Sequence, residues 1–328
     1  MILPFKKAAW GLFFCLSVSL IINKSSFALD KRASSALSHY IMGIMHEDLG
    51  DIDKAIQEYK KALSADKESS VIHLSLASGY LKKNDLPSAI EELRASIEID
   101  PDAIEPRAIL ALIYTSQNKP ELARSEYEAA LKNAARLHPD NADIYKTLGI
   151  LYVQGKKFKE AEEAWRSVVK LSPDDPEAHF YLATIYSTLK KNDAAEEELK
   201  YALELKPDFH EALNFLGYLY IEENRNLSKA EGLVRKALSF QPDNGAYIDS
   251  LGWFYFKKGD YKAALKELTK AISLVEDPVI HDHIGDTYFK IKDIPNARLN
   301  WEKSLELDPA QDSVRKKIEA LINGRAAN

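Results

Sequence analysis

One pattern of residues recurs about every 34 positions between residues 36 and 311, and it constrains the fold of this 328-residue chain more than any other feature. Small residues occupy the eighth position of each repeat: Gly43, Ala77, Ala111, Gly149, Ala183, Gly217, Gly252 and Gly285. Three positions later stand His46, Tyr80, Tyr114, Tyr152, Tyr186, Tyr220, Tyr255 and Tyr288. Alanine recurs near position 20, at Ala55, Ala89, Ala123, Ala161, Ala195, Ala230, Ala264 and Ala297. Self-similarity at this period is typical of solenoids in which each repeat is one pair of helices.

The pattern predicts eight repeats with short flanking segments. The repeats span residues 36–69, 70–103, 104–141, 142–175, 176–209, 210–244, 245–277 and 278–311. Residues 29–35 are a short lead, and residues 312–328 are predicted to be a capping helix and tail, because Val314, Ile318 and Leu321 share one helical face. The repeat at 104–141 is longer by about one helical turn, so we expect a change of pitch and a join between two halves there.

The repeated positions resemble the tetratricopeptide repeat (TPR) family, which favours tryptophan at position 4, leucine at 7, glycine at 8 and tyrosine at 11. The family also favours alanine at 20 and 27, a large apolar residue at 24 and proline at 32. Position 24 here carries Tyr59, Leu93, Tyr127, Trp165, Leu199, Val234, Leu268 and Trp301. The loop proline appears as Pro101, Pro173, Pro207, Pro242 and Pro309. The resemblance implies an all-α, right-handed α-α superhelix, in which each repeat is two antiparallel helices, A and B.

Residue size predicts how these helices pack. Small residues at positions 8, 20 and 27 let helices A and B approach closely, and large residues at 4, 11 and 24 fill the gap between repeats. Neither helix of a repeat can bury its apolar face alone, so neighbouring repeats must stack.

The first 28 residues have the features of a secretory signal peptide. Lys6 and Lys7 precede an apolar run from Ala8 to Ile22, and Ser26-Phe27-Ala28 is a small-residue cleavage site, with cleavage expected after Ala28. The run is shorter than the roughly 20 residues that span a bilayer, so we predict cleavage rather than the alternative, a retained anchor. Bulky Phe14 before Cys15 does not fit a lipoprotein signal. The chain is therefore expected to be exported by a Sec-type route to the periplasm, or to be secreted or envelope-associated, with no stable membrane span after cleavage.

Composition argues against several other classes of protein. A hydrophobic fraction of 46% is too high for a disordered chain, and a mean hydropathy of −0.31 is too low for a polytopic membrane protein. One cysteine excludes a disulfide framework or a thiolate metal cluster. The net charge of −6 makes nucleic acid an unexpected main partner.

The histidines do not predict catalysis. Four of the eight, His39, His73, His179 and His281, occupy position 4, where the family carries a packed tryptophan, and His46 occupies the tyrosine position. His281 and His283 are two residues apart and so point to different faces of a helix. The chain also lacks the metalloprotease, serine hydrolase and phosphate-loop motifs. We predict no enzymatic activity, no cofactor and no metal site.

A stripe of acidic and aromatic residues is predicted to line a groove in the last three repeats. The TPR groove is lined by positions 2, 5, 9 and 12 of helix A, and this chain lacks the lysine at 5 and asparagine at 9 that form the family's carboxylate clamp. The candidate binding residues are Asn214, Tyr218, Asp249, Trp253, Phe256, Asp282, Asp286 and Phe289. Aromatic rings beside carboxylates suit an extended protein or peptide segment that mixes apolar and basic residues.

Two other interpretations of the stripe stay open. Tyr218, Trp253 and Phe289 could pack sideways between adjacent A helices, or a symmetric dimer could cover them. The prediction is a non-enzymatic scaffold or adaptor in the bacterial envelope, and residues 244–253 and 282–286 resemble a signature of exported bacterial envelope TPR proteins. The alternative is a self-assembling structural protein in which the stripe is a homodimer interface.

Overall fold

The computed structural model describes residues 31–322, and within that range the regular structure is entirely α-helical, which confirms the predicted fold class. The predicted signal peptide, Cys15 and the tail 323–328 lie outside the described residues. The helices are α1 (Lys31–Asp48), α2 (Ile52–Ala65), α3 (Ser70–Lys82), α4 (Leu86–Ile99), α5 (Glu105–Ser116), α6 (Pro120–Leu137), α7 (Ala142–Gln154), α8 (Phe158–Leu171), α9 (Pro176–Thr188), α10 (Asn192–Leu205), α11 (His210–Glu222), α12 (Leu227–Phe240), α13 (Gly245–Lys258), α14 (Tyr261–Leu274), α15 (Pro278–Lys290), α16 (Ile294–Leu307) and α17 (Asp312–Ile322).

The chain divides into two compact parts, one ending at Tyr127 and the other beginning at Glu128. This boundary lies inside α6, the long helix of the repeat predicted at 104–141. The first part contains the pairs α1–α2 and α3–α4, with α5 packed on α4. The second contains the pairs α7–α8, α9–α10, α11–α12, α13–α14 and α15–α16, and α17 packs on α16. From α1 to α16 an odd-numbered helix is a helix A and the following even-numbered helix is its helix B, and α17 is the capping helix.

Polar residues at the turns define where the A helices begin. The Asp175 carboxylate accepts hydrogen bonds from the backbone N–H groups of Glu177 and Ala178, and Pro176 occupies the first helical position of α9. The Asn244 side chain accepts from two N–H groups at the start of α13 in the same way. These bonds satisfy N–H groups that have no partner inside the helix, and proline needs none.

A large side chain of helix B packs on the small residue of helix A in its own repeat. Leu268 of α14 lies over Gly252 of α13, where an added Cβ would stand 2.7 Å from Leu268 Cγ and 3.2 Å from its backbone nitrogen. Trp301 covers Gly285 of α15 in the same way. Position 24 thus fills the space within a repeat, whereas the sequence assigned it to the gap between repeats. Trp165 of α8 does both, because it covers Gly149 and its ring stacks on Tyr181 of the next repeat at 4.6 Å.

Each turn from helix A to helix B contains one residue with a positive φ angle at position 15. These residues are Gly50, Asn84, Asn118, Lys156, Lys190, Asn224, Gly259 and Lys292. Glycine and asparagine tolerate the left-handed conformation, whereas a lysine Cβ crowds the following carbonyl oxygen. Asn226 has a further positive φ in the turn of the repeat 210–244, which holds one inserted residue.

Two glycine substitutions are expected to change stability in opposite directions. Gly252→Ala forces a methyl group against Leu268 and should lower the free energy of unfolding by about 1–3 kcal/mol. Gly232→Ala, on an exposed helical surface with nothing within 4 Å of the new Cβ, should raise it by about 0.5–1 kcal/mol. Urea denaturation followed by circular dichroism measures both. A destabilised Gly232→Ala variant, or a neutral Gly252→Ala variant, would contradict the packing described.

Replacing a lysine at the left-handed turn position should stabilise the chain. Lys190 has φ 62° and an exposed side chain, so Lys190→Asn should relieve steric strain of about 1 kcal/mol without loss of a contact. The thermal midpoint should rise by a few degrees. Lys200→Asn, in the middle of α10, is the control and should lower the midpoint, because asparagine is the weaker helix former and the ion pair of Lys200 with Glu196 is lost.

Candidate functional site

The eight side chains predicted to line a groove come from three neighbouring A helices of the second part. Helix α11 contacts α13, and α13 contacts α15. Asn214 and Tyr218 lie on α11, Asp249, Trp253 and Phe256 on α13, and Asp282, Asp286 and Phe289 on α15. The structure therefore brings all eight into one region of the molecule, but it does not expose them equally.

Trp253 is buried between neighbouring A helices. The residue is only 6% exposed. Its indole ring stacks in parallel on Phe256 at 4.3 Å and on His283 of α15 at 3.9 Å. The indole N–H donates to the Glu222 carboxylate of α11. Trp253 thus links three A helices, which is the sideways packing that the sequence left open, and its ring faces are not available to a partner.

Asp249 is buried as well and forms a pair with His283. The distance from Asp249 Oδ1 to His283 Nδ1 is 2.8 Å, and both side chains are less than one-tenth exposed. Burial disfavours the imidazolium, but the Asp249 carboxylate, assisted by Asp282 and Glu222, outweighs burial, so the pKa of His283 is raised above its ordinary value. The pair joins α13 to α15 and occupies the carboxylate that the sequence assigned to a partner.

The two remaining carboxylates of the stripe are held by the last helix. Lys317 of α17 places its Nζ 2.6 Å from Asp282 Oδ1 and 2.8 Å from Asp286 Oδ2. The Trp301 indole N–H also donates to Asp286 at 3.0 Å. Burial and the neighbouring Asp286 charge raise the pKa of Asp282 even though Lys317 lowers it. The stripe is acidic in sequence, but its aspartates are paired within the chain.

The two candidates on α11 are partly buried beside this network. Burial, together with the Glu222, Asp249 and Asp282 carboxylates, raises the pKa of the Tyr218 phenol. Asn214 Oδ1 is buried and accepts no hydrogen bond from the described protein. A buried amide oxygen without a donor is unusual in a folded protein, so Asn214 has unused capacity to accept a hydrogen bond.

An aromatic cavity of about 340 Å³ lies between α13, α15, α16 and α17. Its lining comprises Phe256, Asp286, Phe289, Lys290, Trp301, Lys317 and Ala320. Phe289 and Trp301 meet with ring centroids 5.6 Å apart, and the exposed Lys290 brings the cavity to the surface. This volume lies at the lower end of the range for sites that bind small ligands and suits one or two apolar side chains.

Sequence reasoning found three of the cavity residues and missed the others. Phe256, Asp286 and Phe289 were in the predicted set, whereas Trp301 was assigned to packing and Lys317 to a solvated cap. One signal was available for Lys317, since a capping helix that follows an acidic stripe must neutralise that stripe or add to its charge.

The position-4 histidines form polar contacts inside their own repeats. His39, His73 and His179 each place Nδ1 2.6 Å from a glutamate nineteen residues later, namely Glu58, Glu92 and Glu198. His281 contacts Asn300 at the same spacing. These pairs join helix A to helix B of the same repeat, so these histidines have a structural role.

Two further observations concern residues 31–322 alone. In this range no group of three or more His, Cys, Asp and Glu side chains is arranged to hold a metal ion. None of the helices α1–α17 combines the length and the apolar character needed to cross a membrane.

Models of a family described as tetratricopeptide repeat match residues 48–113, 114–185, 182–246 and 247–277, which together cover most of the chain. The chain belongs to the tetratricopeptide repeat family. Proteins of the TPR family generally mediate protein–protein interactions and are typically non-enzymatic scaffolds.

Similar TPR proteins match only in part. The type IV pilus assembly protein PilF of Pseudomonas aeruginosa is 30% identical over 94 residues, which cover 29% of this chain and 36% of PilF. Tetratricopeptide repeat protein 1 of Schizosaccharomyces pombe is 24% identical over 111 residues, 34% of this chain and 10% of that protein. The chain thus spans about a third and a tenth of the lengths of these two curated relatives. A solved TPR structure from Parabacteroides merdae has a TM-score of 0.57 and 18% identity over 76% of this chain and 97% of that chain, a likeness of fold alone.

The buried Asp249–His283 pair should make stability depend on pH. Because the folded pKa of His283 is raised, the stability it contributes is fully present below the unfolded pKa, near 6.5, and is lost as pH rises through the folded pKa. The measurement is the urea midpoint at about pH 6 and at about pH 9. The difference between the two midpoints should be larger for the natural chain than for the double variant Asp249→Asn, His283→Gln. That variant keeps hydrogen-bonding groups at both positions but carries no charge there. If the difference between the two midpoints is the same in both proteins, the pair does not contribute to stability through its charges.

Proposed function

We propose that this protein is a non-enzymatic interaction module of the bacterial envelope and that it holds an extended protein segment on the A helices of its last repeats. An apolar side chain of that segment enters the cavity lined by Phe256, Phe289 and Trp301. The observation that carries the proposal is the cavity itself, because three aromatic rings border an unfilled space that reaches the surface.

The buried members of the stripe have a positioning role in this proposal. Trp253 stacks directly on Phe256, so it fixes the orientation of a ring that lines the cavity. Asp249 holds His283, which in turn stacks on Trp253 at 3.9 Å. Asn214 and Tyr218 lie further along the A helices, on α11, where both are partly buried beside this network.

The charges around the cavity favour a ligand in which an acidic, rather than a basic, residue stands next to the apolar residue that enters the cavity. Asp282 and Asp286 suggested a basic partner, but Lys317 already pairs with both. Lys290 lines the cavity and is exposed, and no carboxylate of residues 31–322 pairs with it. The proposed ligand is therefore an extended segment with a large apolar residue beside a carboxylate, and Lys290 supplies the rim charge.

Two observations support an envelope location. The first 28 residues have the charged, apolar and small-residue regions of a signal peptide. The matched bacterial relative is named for assembly of type IV pili, structures built at the envelope. A structural homodimer through the aromatic stripe draws less support, because Trp253 packs on side chains of its own chain.

Blocking the cavity should weaken peptide binding. The probe is a labelled extended peptide of about nine residues, long enough to cross three A helices, with a central phenylalanine flanked by glutamates. Ala320→Phe fills the cavity and should weaken binding by about tenfold or more, since burial of a phenylalanine ring contributes about 1.5–3 kcal/mol. Fluorescence anisotropy measures the affinity. Lys316→Phe, exposed on the same helix and outside the cavity lining, is the matched control and should bind normally.

Exchange of the flanking charges tests the partner chemistry separately. A peptide flanked by lysines should bind more weakly than the glutamate peptide, and Lys290→Glu should reduce that preference by about two- to fivefold, the magnitude of an exposed ion pair. If no peptide of either charge binds, the groove proposal fails. If both bind equally and Ala320→Phe still blocks them, only the acidic preference fails.

A further inference from the structure

A second apolar surface lies at the amino-terminal end of the first part. Helix α1 exposes Leu37, Ile41 and Met45, at intervals of four residues along one side, and the side chains of Ile41 and Met45 are 48% and 58% exposed. Met42 and Leu49 extend this exposure at its edge. A contiguous apolar patch of this kind on a soluble domain marks an interaction site.

The position of Met45 is buried in most later repeats, whereas that of Ile41 is buried in the last two only and is 43% exposed at Tyr181. Ile41 and Met45 stand at positions 6 and 10 of their repeat, and the same positions hold Ser250 and Phe254 in α13, both 2% exposed. The covering element is the B helix of the preceding repeat, as where Gly79 at position 10 of α3 faces Ile56 of α2. Within the described range no B helix precedes α1. Its side chains are apolar as if such a neighbour were present.

The charges of α1 are arranged to complement a second copy of itself. Exposed Lys31 stands at its amino-terminal end and exposed Asp48 at its carboxy-terminal end. In an antiparallel pair centred on Ile41, Leu37 of one copy faces Met45 of the other. In this register Lys31 of one copy lies three residues, or about 4.5 Å along the helix axis, from the position directly opposite Asp48 of the other copy. The two side chains can bridge that distance. The opposed helix dipoles add to this attraction.

Small residues on the same side permit close approach of the two helices. Ser34 and Ser38 are exposed and lie one turn apart beside the apolar stripe. Small residues at a helix contact reduce the distance between axes, so that long side chains such as Met45 can pack across it. The two-fold arrangement is isologous, since each contact occurs twice and the pairing closes on itself.

We infer that the protein forms a symmetric homodimer through antiparallel pairing of the exposed α1 surfaces, with Leu37, Ile41 and Met45 at its centre and Lys31–Asp48 ion pairs at its edges. This interface is separate from the cavity between α13 and α17, and it does not depend on the proposed function. A bound peptide and a dimer can therefore be tested independently.

The mass of the protein in solution tests the dimer. The protein is expressed with its own leader, its amino terminus is determined by mass spectrometry, and sedimentation equilibrium is measured at micromolar concentration. The natural protein should have the mass of two chains, and Ile41→Glu with Met45→Glu should have that of one, because unpaired charges are costly at a buried contact. Leu299→Glu, which changes an equally exposed apolar residue on α16, should leave the dimer intact.

Charge reversal tests the antiparallel register. Lys31→Glu and Asp48→Lys should each weaken the homodimer by about two- to fivefold, and an equimolar mixture of the two variants should form a heterodimer of natural stability. Circular dichroism confirms that each variant is folded. A monomeric natural protein, or a dimer that survives Ile41→Glu with Met45→Glu, would overturn the inference. A dimer lost on Phe289→Glu instead would place the interface at the aromatic stripe.

Discussion

The contact on which the rest of this structure depends is the one between a small residue at position 8 of helix A and a large side chain at position 24 of helix B. Gly252 beneath Leu268 and Gly285 beneath Trp301 leave no room for a methyl group. The large side chain therefore sets the distance between the two helices, and every other contact in the repeat follows from that distance. The histidine–glutamate pairs at positions 4 and 23 join the same two helices where they could otherwise diverge.

The repeats share this internal contact, but their A-helix surfaces differ. In α3 the side chain at position 6 is Ser75, whose hydroxyl bonds the Tyr40 hydroxyl of α1. In α15 position 6 is His283, which is buried against Asp249 and Trp253. The same backbone position thus serves a simple polar contact in one repeat and a charged, aromatic cluster in another. Variation of this kind lets a repeated scaffold carry a site in one region only.

The sequence predicted the helices well because the spacing of small and large residues directly reflects how two helices approach. Helix α9 begins at Pro176 and α13 at Gly245, the residues where the pattern placed repeat starts. The site was harder to predict, because periodicity identifies a face of a helix but not the side chain opposite it. Asp249 and Trp253 were on the expected helix, yet His283 from the next repeat covers both. Trp301 and Lys317 were missed because each was assigned one structural role, although each also lines the cavity.

The ion pairs of Lys317 mean that α17 determines the net charge of the surface around Asp282 and Asp286. Helix α17 packs on α16 through Val314, Ile318 and Leu321, and Lys317 adds its two ion pairs to that contact. Without Lys317, Asp282 and Asp286 would lose their shared cation together. Helix α17 therefore carries the counterion for two carboxylates that belong to the preceding repeat.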